Sequence, residues 1–308
     1  MTVARYDTLS APDPEFALKL FRRLAAALAL NLLLVAVAVA QPGLWVAKNE
    51  HATVYLFGTV HLLPTDTNWQ SHALDKALDE SQRLSIEIVD DDSAAMQGLV
   101  MQYGVDLSQS LSSKLDEKDR GELEKAAEVA KLPGGIAALQ PMRPWLAALT
   151  LTMAPLMQAG LDPNQGVDKL LKARMQQAGK PIDGLETAEK QIRMLADLPE
   201  AMQLEFLRQS FKEVADGPSK LRELIDAWRT GDTAAIARIE DEDLRKDSPL
   251  LYQRLIVERN EAWAKTIAER MQQPGVSFVA VGAGHLAGPD SLQEQLRKLG
   301  VKTTRIEN

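Results

Sequence analysis

Two of the chain's four histidines sit in the same local setting. The runs Val54-Tyr55-Leu56-Phe57-Gly58-Thr59-Val60-His61 and Phe278-Val279-Ala280-Val281-Gly282-Ala283-Gly284-His285 are apolar stretches that stop at a glycine and bring a histidine three residues later, a GxxH motif. A buried strand ending in glycine lets the backbone turn sharply and aims a side chain into a crevice. In open parallel sheets ligands occupy such crevices, beyond the carboxyl ends of the strands. Imidazole serves both as a general base near neutral pH and as a metal ligand. His61 and His285 are therefore expected in one site, in either role.

Glu87 is the third residue of interest. In Arg83-Leu84-Ser85-Ile86-Glu87-Ile88-Val89 the side chains alternate, so Ile86 and Ile88 face one way and Glu87 the other. An acid inside an apolar strand needs a partner or a metal; the plainer reading is an edge-strand glutamate facing solvent. Two imidazoles and one carboxylate with open positions suit a divalent transition metal, which acidifies bound water and polarises a carbonyl. Asp168 follows Asp162-Pro163, which reads as a helix cap and first turn, so it either favours the helix dipole or serves the site. Glu186 lies between a short strand and a helix, again at a sheet's carboxyl edge. Gly58, Thr59 and Gly282 belong to the same surroundings, with Thr59 able to orient His61 or a water. His51, His72 and the turn Asp90–Asp92 read as solvated surface.

Arg259 falls inside an apolar stripe formed by Tyr252, Ile256, Trp263 and Ile267 at helical spacing. A core-facing arginine is costly unless a carboxylate pairs with it. It is either a snorkelling side chain at the stripe's edge or a member of the site.

These residues need a scaffold, and 308 residues with 45% apolar and 25% charged composition give an ordinary globular chain. The net charge of −8 without a long basic run disfavours nucleic-acid binding. Residues 1–40 carry Lys19, Arg22 and Arg23 ahead of an apolar stretch from Leu24 that closes on Ala38-Val39-Ala40, the pattern of a secretory signal. Its long leading part also admits an uncleaved anchor, although as a membrane span it is short. Its removal takes away four basic and three acidic groups and leaves −9. The absence of cysteine excludes disulfides, a thiolate nucleophile and thiolate metal sites.

Strands are predicted at 44–47, 53–58, 83–89, 181–184, 276–282 and 302–306. Several are near-continuous apolar runs, as expected of strands covered on both faces. Helical patterns occupy 71–81, 93–103, 116–130, 142–159, 165–178, 186–197, 199–214, 218–229, 232–242, 248–272 and 289–299, with Pro289 in the first turn of the last. The expected fold is α/β, a mostly parallel or mixed central sheet from the N- and C-terminal parts, with a large helical insertion or cap at about 93–272. Residues 41–308 then form one domain.

In this order, Tyr55-Leu56-Phe57-Gly58-Thr59-Val60-His61, Ser85-Ile86-Glu87, Gly166-Val167-Asp168, Gly184-Leu185-Glu186-Thr187, Glu258-Arg259-Asn260 and Val281-Gly282-Ala283-Gly284-His285-Leu286-Ala287-Gly288 resemble the TraB/GumN family, which includes the animal Tiki proteins. The likeness runs from about Leu44 to Ile306. It implies an α/β core similar to the erythromycin esterase and ChaN-like group. It also implies a metal-dependent peptidase, periplasmic or secreted, acting on a peptide or protein. His61, Glu87 and His285 would hold manganese or cobalt (zinc is admitted) or divide ligand and base roles, and Arg259 would face an anion or lock a carboxylate. Membrane contact would come only through an uncleaved N-terminal segment. Two other readings stay open: a metal-free, esterase-like hydrolase whose histidine base is oriented by a carboxylate such as Glu87, and a haem- or ligand-binding protein by analogy to ChaN.

Overall fold

A computed structural model describes residues 41–65, 67–89 and 93–307. The expected signal segment and the turn Asp90–Asp92 lie outside the described residues. Six strands form one mixed sheet: β1 (Leu44–Lys48), β2 (Ala52–Thr59), β3 (Arg83–Ile86), β4 (Ile182–Gly184), β5 (Gly275–Gly282) and β6 (Thr303–Arg305). Their spatial order is β4-β3-β5-β2-β1-β6. The four strands from β4 to β2 are parallel, while at the other edge β1 pairs antiparallel with both β2 and β6.

Period-two alternation divides β2 and β5 between two cores. Phe57, Phe278 and Ala280, with Leu84 and Ile86 of β3, face one side. There they meet α1 (His72–Glu80), α5 (Val167–Gln177) and α8 (Gly217–Thr230). Val54, Leu56, Val279 and Val281 face the other side, where α12 (Glu258–Arg270) and α13 (Leu292–Lys298) cover them. Trp263 and Ile267 of α12 are fully buried, and burying side chains of this size is worth about 1.5–3 kcal/mol each. The chain also builds α2 (Ser93–Gly104), α3 (Glu117–Val129), α4 (Pro144–Gln158), α6 (Ala188–Ala196) and α7 (Glu200–Glu213). A third core, centred on Leu123, Leu151 and Leu207, joins α3, α4 and α7 into a helical cap.

All six expected strands and the helical middle are present, with differences that matter. β3 stops at Ile86 rather than running to Val89, so Glu87 lies just past the end of an interior strand, not on an edge. Pro289 precedes the last helix, which starts at Leu292 after Ser291. The expected helices at 232–242 and 248–272 are each interrupted. The first is α9 (Thr233–Ala237) followed by a π turn at Arg238–Glu242, then α10 (Asp243–Asp247). The second is α11 (Pro249–Tyr252), a π turn at Gln253–Val257, and then α12. A π turn adds one residue to the helical repeat, so buried Tyr252 is followed on the core side by buried Val257, while Ile256 of the expected stripe is only half-buried.

Candidate functional site

β2 and β5 pair in parallel with Thr59 opposite Gly282, so both strands end together and their histidine loops leave the sheet side by side. The two glycines give space rather than a turn, since neither has a positive φ. A Cβ on Gly58 would stand 3.1 Å from Ala283 Cα in the neighbouring loop. One on Gly282 would lie 3.3 Å from Glu87 Oε1, 3.6 Å from His285 Cδ2 and 3.9 Å from His61 Nε2. The three residues singled out from the sequence thus surround one point at the carboxyl ends of parallel strands, the expected ligand position of such sheets.

His285 is locked. It occupies a 3₁₀ turn after β5 and is 5% exposed. The Asn260 amide nitrogen donates to the carbonyls of His285 (3.3 Å) and Asp290 (2.9 Å), which turns its Oδ1 towards His285 Nδ1 at 2.8 Å. Nδ1 must therefore carry the proton, and the Nε2 lone pair accepts from Arg259 Nη1 at 2.9 Å. Burial pushes the imidazole pKa down; Glu87 opposes this, Arg259 and His61 reinforce it, and the result is about 3.

Arg259 is 7% exposed and does not snorkel. Its Nε (3.0 Å) and Nη2 (2.6 Å) donate to Glu186 Oε1, Nη2 also donates to Glu87 Oε2, and Nη1 reaches Leu255 O (3.2 Å) and His285. A guanidinium has five N–H groups, and all five are engaged. Its flat face also packs on Trp263, 4.5 Å from the ring centre. Glu87 is as constrained: Oε1 accepts from the Gly282 amide at 2.7 Å and Oε2 from Arg259 and from Gln191 Nε2 at 3.2 Å. Burial alone would raise this carboxyl, but Arg259 foremost, then the histidines and the Gly282 amide, hold it at about 2. Glu186, enclosed behind Arg259, is raised by burial, which Arg259 partly offsets.

His61 differs in each respect. Its side chain is 60% exposed, and Nδ1 meets Asp168 Oδ1 at 3.0 Å. Asp168 is brought there by the first turn of α5, whose Val167 amide donates to Val60 O at 3.0 Å. Gly166 is obligatory at this junction, since a Cβ would fall 2.7 Å from His61 O. Partial loss of solvent lowers the His61 pKa, but Asp168, helped by Glu87 and Glu240, outweighs it and lifts the imidazole to about 9. Nε2 has no hydrogen-bond partner among the described residues. With Thr59, Glu87, Asp168 and Gln191, His61 lines a crevice of about 240 Å³. Thr59 Oγ1 is buried there without a partner. A larger depression, about 700 Å³, approaches Arg259 from outside over α6, but none of His61, Glu87 and His285 lines it.

Every residue assigned to the site from sequence is thus in or beside it, and His51 and His72 are exposed as expected. Asn260 and Gln191 were not singled out; the first adjoins Arg259 in a motif already quoted, and the second carries no sequence signal. Glu240 was missed as well. It stands in the π turn Arg238–Glu242 with its carboxyl against Gly284, where any side chain at position 284 would overlap it.

The metal implied by the resemblance can be tested on these donors. His285 presents no free lone pair, both Glu87 oxygens are occupied, and a guanidinium stands between them. Among the described residues no group of three or more His, Asp or Glu side chains is arranged to hold a metal ion. As folded, the set does not fit one.

Fold and site together define an α/β protein with a histidine- and carboxylate-lined crevice at the carboxyl ends of parallel strands. The chain matches the TraB/PrgY/gumN family over residues 43–305 and belongs to it. It is 26% identical over 271 residues to an uncharacterized protein of Treponema pallidum (strain Nichols), covering 82% of this chain and 80% of that one. It is 28% identical over 192 residues to the uncharacterized protein YbaP of Escherichia coli (strain K12), covering 61% and 69%. No solved structure matches the chain significantly.

Proposed function

We propose that this protein is an exported hydrolase of acyl compounds, esters or amides including peptides, that works without a metal held by Glu87 and His285. The observation that carries this reading is the division of labour around Gly282. One histidine has both ring nitrogens occupied, while the other keeps Nε2 open to the crevice with Asp168 on Nδ1. Asp168 fixes the ring and favours the imidazolium, so at neutral pH His61 offers an Nε2–H to whatever enters. It can polarise a carbonyl oxygen and then pass its proton to the leaving group. The partnerless Thr59 hydroxyl is placed to hold a water or a substrate oxygen. Glu87, Arg259, Glu186 and His285 form the rigid charged wall behind this point.

The test is hydrolysis of nitrophenyl esters and quenched-fluorescent peptides by the purified protein after exhaustive chelation, beside His61→Gln. Activity should survive chelation and fall about 100- to 10,000-fold in the variant. Activity that chelation abolishes and manganese restores would overturn the metal-free reading, and a fully active His61→Gln would overturn the role of His61.

A further inference from the structure

A hydrolytic site with a protonated histidine still lacks the group that takes the proton from water. We infer that Glu240 is that group, and that the substrate chain lies in the groove it closes, between the helical cap and α8. This rests on the hydrolase reading above.

Four observations converge on Glu240. Its carboxyl is pressed against Gly284, inside the second histidine loop. It also lines a groove of about 750 Å³ with Leu156 of α4, Phe206 of α7 and Leu221 of α8. That is room for an extended substrate, which the 240 Å³ crevice at His61 lacks. The residue is carried by a π turn, a local irregularity that recurs at functional positions. Finally, no side chain among the described residues hydrogen-bonds or ion-pairs with Glu240, in contrast to Glu87, whose oxygens are all engaged.

The charges around it explain how it would act. His61 and Glu87 act on its charge from the histidine side, and the Gly284 amide donates to the carboxyl. Glu205, Lys212 and Glu213 of α7, Lys220 of α8, and Lys246 and Asp247 of α10 stand along the groove. Burial raises the carboxyl to about 7, with His61 and the Gly284 amide opposing and Glu87 adding. Two acids whose surroundings drive them apart, Glu87 near 2 and Glu240 near 7, mark different roles. Glu87 stays charged, while Glu240 exchanges protons at working pH.

In the step proposed, one water proton moves to Glu240 as the water oxygen bonds to the acyl carbon. The bond from that carbon to the leaving nitrogen or oxygen then breaks, and His61 gives its Nε2 proton to the leaving group. The products are a carboxylic acid and an amine or alcohol, with one water consumed. Passage of the proton from Glu240 to His61 through solvent resets the pair.

The experiment is the pH–rate profile of wild type, Glu240→Gln and Glu240→Asp, with thermal melts as a folding control. Wild type should show an acid limb near pH 7 and an alkaline limb near pH 9. Glu240→Gln should lose about 100- to 10,000-fold in kcat and the acid limb with it, while Glu240→Asp keeps the limb. A folded Glu240→Gln that retains rate and limb overturns the inference; if His61→Gln is then inactive, the hydrolase reading survives alone. A wild type that hydrolyses neither panel overturns both. Independently of any substrate, the His61 ring resonances of the unmodified protein should show a second inflection near pH 7 from Glu240, and its absence equally overturns the inference.

Discussion

The two histidine loops share a sequence pattern, start from adjacent parallel strands and end at the same point, yet they hold opposite charge states. His285 is buried between Asn260 and Arg259 and is neutral down to about pH 3. His61 is largely exposed beside Asp168 and holds its proton up to about pH 9. The motif fixes where an imidazole is delivered. What it does there is decided by partners from elsewhere in the chain, α12 for one and α5 for the other. The symmetric reading, two equivalent ligands on one metal, would require His285 to give up its bond to Arg259.

The contrast breaks most visibly if the wall behind His285 is dispensable. Replacing Arg259 by methionine strands Glu87 and Glu186 without their cation, and uncompensated buried charge costs about 3–5 kcal/mol. Urea melts should register that loss, and an unchanged midpoint would show that the charge network is not what holds the loop.

A smaller and more diagnostic effect separates the histidines themselves. His285→Ala leaves the Arg259 N–H and Asn260 Oδ1 unpaired in the interior, for about 1–3 kcal/mol. His61→Gln should cost less than this near neutral pH, since it loses only the solvent-screened pairing with Asp168, while removing activity. Equal destabilisation by both would erase the distinction.

Stability against pH sharpens it further. The native His285 resists protonation, so its contribution is complete above its ordinary 6.5 and is lost as pH falls towards about 3. The native His61 prefers protonation, so its contribution is complete below 6.5 and is lost as pH rises through about 9. Melts across this range should lose the acid-side slope in His285→Ala and the alkaline-side slope in His61→Gln. In the same vein, Asp168→Asn should bring the His61 titration, followed by NMR, down from about 9 towards its ordinary value. The smallest effect is expected from Gly282→Ala. Its methyl would crowd Glu87 Oε1 at 3.3 Å, a mild overpacking at the low end of the about 1–3 kcal/mol that such insertions cost.

Most of the fold was legible because burial imposes a period. The doubly covered strands β2 and β5 read as apolar runs, and α12 declared its core face through Trp263 and Ile267. The pairing of Asp168 with His61 was legible only as a possibility, since a charge in a first helical turn has a sufficient local explanation. The choice for Arg259 turned on Glu186, 73 positions away in sequence. Glu240 left no trace, because a π turn has no propensity signature and an acid among Ile239, Asp241 and Glu242 looks like ordinary solvated helix. The glycines were correctly picked out for the wrong reason: crowding between loops, and not a turn, disfavours a side chain there.

The π turn at Gln253–Val257 has a consequence for how this chain tolerates change. Each residue of a helix advances the surface by about 100°, and Arg259 and Asn260 lie immediately downstream. Point substitutions within the turn would leave their direction intact, whereas losing a single residue would swing both away from Glu87 and His285 while every side chain of the site remained present. In this stretch length is under tighter constraint than composition.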